Sequence, residues 1–264
     1  MEALIRVSRI SYGIMMAALA VQQIVYAAFR PVILPPVTFP GITICVYITS
    51  IALFAASVAI ILDKNARTLS LIFGGIFLIL FVCCFIPYEF ISDPNWKSLG
   101  AWTFADKDLV FAGGGFVVAG SYPILQAEIS KESPVNKFLE RLIPLGSVFF
   151  CITMISFGID HFLYAKGVSG LVPAWIPGPM FWTYFAGAAL ALSGITIILG
   201  IQVKWSALLL SLMIFLWVPI LHIPRAIADP YGLQGNEVSS VFEAFGFSGI
   251  AYLIACGYHS RKIV

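Results

Sequence analysis

The chain has 264 residues, of which 60% are hydrophobic and 11% charged, with a formal net charge of +2. A soluble domain carries about 45–50% apolar and about 25% charged residues, so this surplus cannot be hidden in one core and must face lipid. The apolar runs are continuous rather than alternating, which excludes a β-barrel. No basic stripe marks a nucleic-acid partner.

A membrane-spanning helix needs about 20 apolar residues. Eight segments satisfy this, at residues 10–29, 42–62, 69–90, 109–125, 143–164, 180–200, 206–223 and 240–258. Arg6 and Arg9 precede the first. It runs for a full membrane width with no small-residue cleavage site, so it reads as an anchored helix rather than a signal peptide. The fourth contains Gly113-Gly114-Gly115. Small residues let membrane helices approach closely, so this run predicts a packing seam and not a break. After it comes the one long charged stretch, with Glu128, Lys131, Glu132, Lys137, Glu140 and Arg141. The expected organisation is a diverged four-helix repeat at 1–125, a charged cytoplasmic linker at 126–141 and a second four-helix repeat at 142–264.

The repeat is visible in the residues. Leu34-Pro35-Pro36-Val37-Thr38-Phe39-Pro40-Gly41 returns as Val172-Pro173-Ala174-Trp175-Ile176-Pro177-Gly178. Tyr26 matches Tyr164, Tyr47 matches Tyr184, Pro87 matches Pro224, and Asp93-Pro94 matches Asp229-Pro230. A period this long is a duplicated domain, since solenoid repeats run about 20–50 residues. Four spans per copy make the copies parallel rather than inverted. Lys and Arg fall 10 to 5 in favour of the side carrying the termini, which predicts both termini in the cytoplasm of a plasma-membrane (inner-membrane) protein. The five cysteines lie in apolar runs, and a buried thiol is usually a small hydrophobe.

Several features of the second half carry a family likeness. They are Asp160-His161-Phe162, the loop from Val172 to Gly178, and Phe181-Trp182 with Gly187 and Gly194. His222-Ile223-Pro224-Arg225, Asn236-Glu237 and Phe242-Glu243-Ala244-Phe245 complete the set. Together they resemble the DoxX-like group of four-helix membrane proteins, over almost all of 146–258. The first half resembles a diverged copy, with Asp106-Lys107-Asp108-Leu109 and Gly113-Gly114 before its fourth helix. The resemblance implies an all-α membrane protein of eight transmembrane helices in two parallel four-helix bundles. It also implies a setting associated with redox or respiratory enzymes, though likeness of fold does not assign chemistry.

Asp160, His161, His222, Arg225 and Glu243 are expected at helix ends on one side of the membrane. Ionisable residues at membrane depth face the bundle interior and mark functional sites. Histidine beside a carboxylate can shuttle protons. A quinone headgroup needs a donor at each carbonyl and a proton route, and this group could supply both. Trp175, in an apolar and proline-rich loop, is expected to cover the site as a lid; the competing reading is a rigid connector anchored at the headgroups. The plainer reading of the acids is structural: Glu243 and Asp108 would sit in first helical turns, where the helix dipole favours them, and Arg225 would pair with Asp229. His161 and His222 could in principle ligate a haem from two helices, but no second pair stands at the other surface. No tight metal-ligand spacing occurs.

By offset, His161, His222 and Arg225 correspond to Gln23, Phe85 and Tyr88. Any active site is therefore expected in the second half, with the first as scaffold. The leading expectation is a membrane protein that binds a lipophilic small molecule, a quinone, near the outer leaflet. The alternatives are a non-catalytic scaffold or assembly partner of another membrane subunit, and a transporter. The last lacks midplane charges and paired broken helices.

Overall fold

The computed structural model describes residues 1–123 and 133–260, the last three as backbone only. The described residues form helices and no strand. In chain order the helices are α1 (Glu2–Tyr26), α2 (Ile42–Ile61), α3 (Ala66–Ile91), α4 (Thr103–Gly120) and α5 (Pro134–Glu140). They continue with α6 (Gly146–Leu163), α7 (Ala165–Ser169), α8 (Pro179–Ile198), α9 (Val203–Ala228) and α10 (Asn236–Ser260). Among the described residues seven helical stretches are long and apolar enough to cross a membrane, one of them running through α5 and α6.

The segment expected as the fourth span falls in α4, which differs from those seven. It starts at Thr103 rather than 109 and carries Asp106, Lys107 and Asp108. From Ala105 to Ala119 every residue is buried except Lys107 and Val117, which are half-buried. Charge that would be costly in lipid is covered here by neighbouring helices. The linker lies partly outside the described residues. Its described part forms α5, capped by the Ser133 hydroxyl accepting from Asn136 N–H, and Arg67 of α3 donates to Glu140 at 2.6 Å.

Element boundaries recur at one spacing. α2 and α8 are both 20 residues long and start 137 positions apart. The regular parts of α3 and α9, Ala66–Leu80 and Val203–Trp217, are again 137 apart at both ends. Each continues through a wide π-helical turn, Phe81–Phe85 and Val218–His222, into six more α-helical residues. Pro87 and Pro224 explain the wide turns. Proline lacks an N–H and its ring clashes with the carbonyl four residues back, so the helix must loosen just before it. Gly41 and Gly178 start α2 and α8 with φ of 82° and 68°, a left-handed conformation that favours glycine.

The halves are not packed as separate bodies. α1 packs on α2 and on α10, while α6 packs on α8 and on α4. α3 packs on α4, α9 on α10, and α4 meets α10 at the centre. The first helix of each half thus lies against the fourth helix of the other. One apolar core runs through both, with Phe111 and Phe150 both in ring contact with Phe247, at 6.3 and 6.5 Å between centroids. The glycine run is the packing seam expected of it. A Cβ on Gly113 would lie 2.6 Å from the Gly146 carbonyl oxygen, and one on Gly115 would lie 2.6 Å from the Gly74 nitrogen.

Candidate functional site

A cavity of about 390 Å³ lies among α6, α8, α9 and α10, with one wall residue, Lys107, from α4. Met154, Phe157, Trp182, Leu190, Trp217 and Phe247 make it mainly apolar and aromatic. The rings of Trp182 and Trp217 meet edge to face at 6.4 Å. Its polar groups come from the C-terminal ends of α6 and α9 and the N-terminal parts of α4 and α10, all on the side away from the termini. They are His161, His222, Arg225, Glu237, Glu243 and Lys107, with Asn236 and Ser240; Thr183, near the start of α8, adds a hydroxyl. A mostly apolar pocket with a few convergent polar groups is the usual form of a small-molecule site.

His161, in the last turn of α6, places Nδ1 2.7 Å from the Phe157 carbonyl oxygen. A carbonyl only accepts, so Nδ1 carries the hydrogen, and in the neutral ring Nε2 is the acceptor. His222 ends the wide turn of α9. Arg225 grips Glu237 through two donors, Nε on Oε2 at 2.8 Å and Nη2 on Oε1. This fork-to-fork pairing fixes geometry as well as charge. Lys107 Nζ donates to Glu243 Oε2 at 2.7 Å. Glu243 is 3% exposed, and its Oε1 has no hydrogen-bond partner among the described residues.

The structure therefore gathers His161, His222, Arg225 and Glu243 around one cavity and leaves out two expected members. Trp175 does not line it. That side chain is 70% exposed, in a turn closed by Ile176 N–H on the Pro173 carbonyl at 2.9 Å. The loop contributes Leu171 and Val172 to the wall instead. Asp160 also lies off the wall, one helical step of about 100° from His161. Glu243 is the eighth residue of α10, past the first turn; the first-turn acid is Glu237. In α4 that place belongs to Asp106, and Asp108 is fully buried deeper in the helix. Arg225 pairs with Glu237 rather than Asp229, whose carboxylate accepts from Gly232 N–H at 2.9 Å.

Sequence reasoning missed Lys107, because it confined the site to the second half. The signal was present in Asp106-Lys107-Asp108: three charges at 100° steps cannot share one wet face. Asp106 turns to α6, where the Ser156 hydroxyl donates to it at 2.5 Å, while Lys107 turns to α10. It also missed Arg30. This residue is 2% exposed, donates from Nη1 to the Gln234 carbonyl at 2.6 Å and from Nη2 to Ser239 Oγ at 3.2 Å. Ser239 in turn donates to Gln22 Oε1 at 2.5 Å, and Gln22 Nε2 donates to the Gly235 carbonyl at 2.9 Å. Burial pushes the Arg30 guanidinium below its ordinary value, and the nearby Glu243 charge opposes that shift.

Residues 145–223 match the family model described as DoxX. No curated protein matches the chain, and no solved structure does. The matched segment runs from the start of α6 to the α9 residue just after His222, and so carries both histidines of the cavity. With this domain and its apolar helices, the chain is a multi-pass helical membrane protein.

Proposed function

We propose that this protein binds a lipophilic small molecule, of the quinone class, in the cavity of its second half, near the outer leaflet of the cell's inner (plasma) membrane. The observation that carries this reading is the aromatic cavity with its polar groups gathered at one end. A flat ring suits walls of Phe157, Trp182, Trp217 and Phe247, because aromatic faces and edges attract one another at these spacings. The redox association rests on the family likeness alone.

The proposal includes the architecture that presents the site. α4 serves as an eighth span, covered by its neighbours, and the two halves are parallel copies. The constant 137-residue spacing of helix boundaries supports the duplication. Contacts between corresponding loops support parallel copies: Ser98 Oγ meets Tyr164 Oη at 2.6 Å, as Arg30 meets Gln234. The basic bias toward the termini supports a cytoplasmic location for them.

The test is purification from the native membrane, followed by mass spectrometry of an organic extract. We expect a quinone to copurify and to fall at least about tenfold in occupancy in Ala186→Trp, which fills the cavity, and in His222→Phe. A protein that keeps the same lipid at the same occupancy in both variants would place the ligand elsewhere. A protein that copurifies no lipophile would favour the scaffold reading.

A further inference from the structure

We infer that the cavity selects a ligand whose polar head donates a hydrogen bond, a phenol or hydroquinone, over the corresponding carbonyl compound. This rests on the cavity being a ligand site and adds which chemical form it takes.

The argument begins with Glu243. Glu243 is a residue of the cavity wall and is buried. Lys107 occupies Oε2 at 2.7 Å, and Oε1 is left with no partner among the described residues. An ionised carboxylate is an acceptor only. A ligand carbonyl brought to Oε1 would set two acceptors against each other, while a hydroxyl there would complete the carboxylate. His161 adds a second acceptor to the same walls, since its Nδ1 hydrogen is committed to the Phe157 carbonyl. Each charged donor on the wall already holds a protein carboxylate: Arg225 gives Nε and Nη2 to Glu237, and Lys107 gives Nζ to Glu243. The two cations in the cavity are each matched by a carboxylate, Lys107 by Glu243 and Arg225 by Glu237. An anionic head such as a lipid phosphate would therefore find no unmatched cation between these two pairs. A site built around a buried polar group rejects the analogue that leaves it unpaired, by factors of ten or more.

The experiment uses the full-length protein in detergent micelles and the quenching of its tryptophan emission, since Trp182 and Trp217 stand on the wall. Three probes share one decyl-substituted ring: the benzoquinone, its hydroquinone kept reduced under anaerobic conditions, and the dimethyl ether of that hydroquinone. We expect the hydroquinone to bind at least about tenfold more tightly than either of the others. In Glu243→Gln the amide can turn an N–H toward the ligand, so the ratio should fall to within about twofold or reverse. The wild-type ratio needs no variant, so it decides the matter even if Glu243→Gln does not fold. Three equal affinities, all abolished by Ala186→Trp, would overturn the donor preference and leave the cavity as the site. Binding of any probe unaffected by Ala186→Trp would overturn the cavity reading, and the inference with it.

Discussion

A guanidinium with 2% exposure is a demanding residue, and Arg30 meets the demand by joining the two halves of the chain. It holds the Gln234 carbonyl and Ser239 Oγ, just before and inside α10, while its own N–H donates to Gln23 Oε1 at 3.3 Å. Replacing it with alanine strands the Gln234 carbonyl and one side of Ser239. Arg30→Ala should lower stability by about 2–3 kcal/mol, seen as a lower thermal midpoint in detergent. Arg30→Lys should recover only part, because one ammonium cannot reproduce the planar fork across two acceptors. Equal midpoints for Arg30→Ala and the native protein would show that the network carries no net stability. None of this could be read from sequence, where Arg30 is one basic residue in a loop and the partners of its guanidinium lie more than 200 positions away. His161, His222, Arg225 and Glu243 were legible for a different reason. Each is ionisable beside an apolar helix, and helix ends on one side of a bundle converge. What sequence could not supply was orientation around the helix, which removes Asp160 and brings in Lys107.

The same division holds among helices. The glycine run in α4 was legible as a seam because only small residues permit backbones to touch. Which backbones meet is a tertiary fact: Gly113 with Gly146 of α6, and Gly115 with Gly74 of α3. A Cβ on Gly115 would lie 2.6 Å from both the Gly74 nitrogen and the Ser70 carbonyl oxygen, and backbone cannot swing aside as a side chain can. Gly115→Ala should therefore destabilise by about 1–3 kcal/mol, the usual range for overpacking. Gly167 in α7 has nothing within 4 Å of its added Cβ. Gly167→Ala should lose nothing and gain up to about 1 kcal/mol from reduced chain entropy. Thermal unfolding of the two variants side by side checks the contrast; a Gly115→Ala midpoint no lower than that of Gly167→Ala would contradict the seam. The wide turns were not legible as such, although their cause was. Pro87 and Pro224 were visible as matched residues, but the turn they impose, with Phe85 at one end and His222 at the other, needs the backbone.

At the scale of the molecule, helices of the two halves pack across one another, which the sequence did not reveal. The repeat suggested two self-contained bundles, yet α1 lies on α10 and α6 on α4, so both halves share one core. A period in sequence reports common local structure; it is silent on whether a helix packs within its own copy or across. This packing also explains how a site in the second half takes Lys107 from the first. It bears on the proposed parallel arrangement, in which corresponding loops lie on the same side of the membrane. Tyr164 at the end of α6 reaches Ser98, and Gln22 near the end of α1 reaches Gly235, each bond joining the loop side of one half to that of the other. In the proposed orientation the excess of basic residues puts the side that carries the termini in the cytoplasm. Single cysteines introduced into a background lacking Cys45, Cys83, Cys84, Cys151 and Cys256 can test this with a membrane-impermeant thiol reagent. Positions 97, 175 and 231 should label in intact cells, and 137 and 204 only after the membrane is opened. Trp175 and Tyr231 are 70% and 80% exposed, so access to the reagent reports their side and not their burial. Labelling of 97 and 231 from opposite sides would mean inverted halves. Outside-only labelling at 137 would reverse the orientation and move the cavity to the cytoplasmic leaflet.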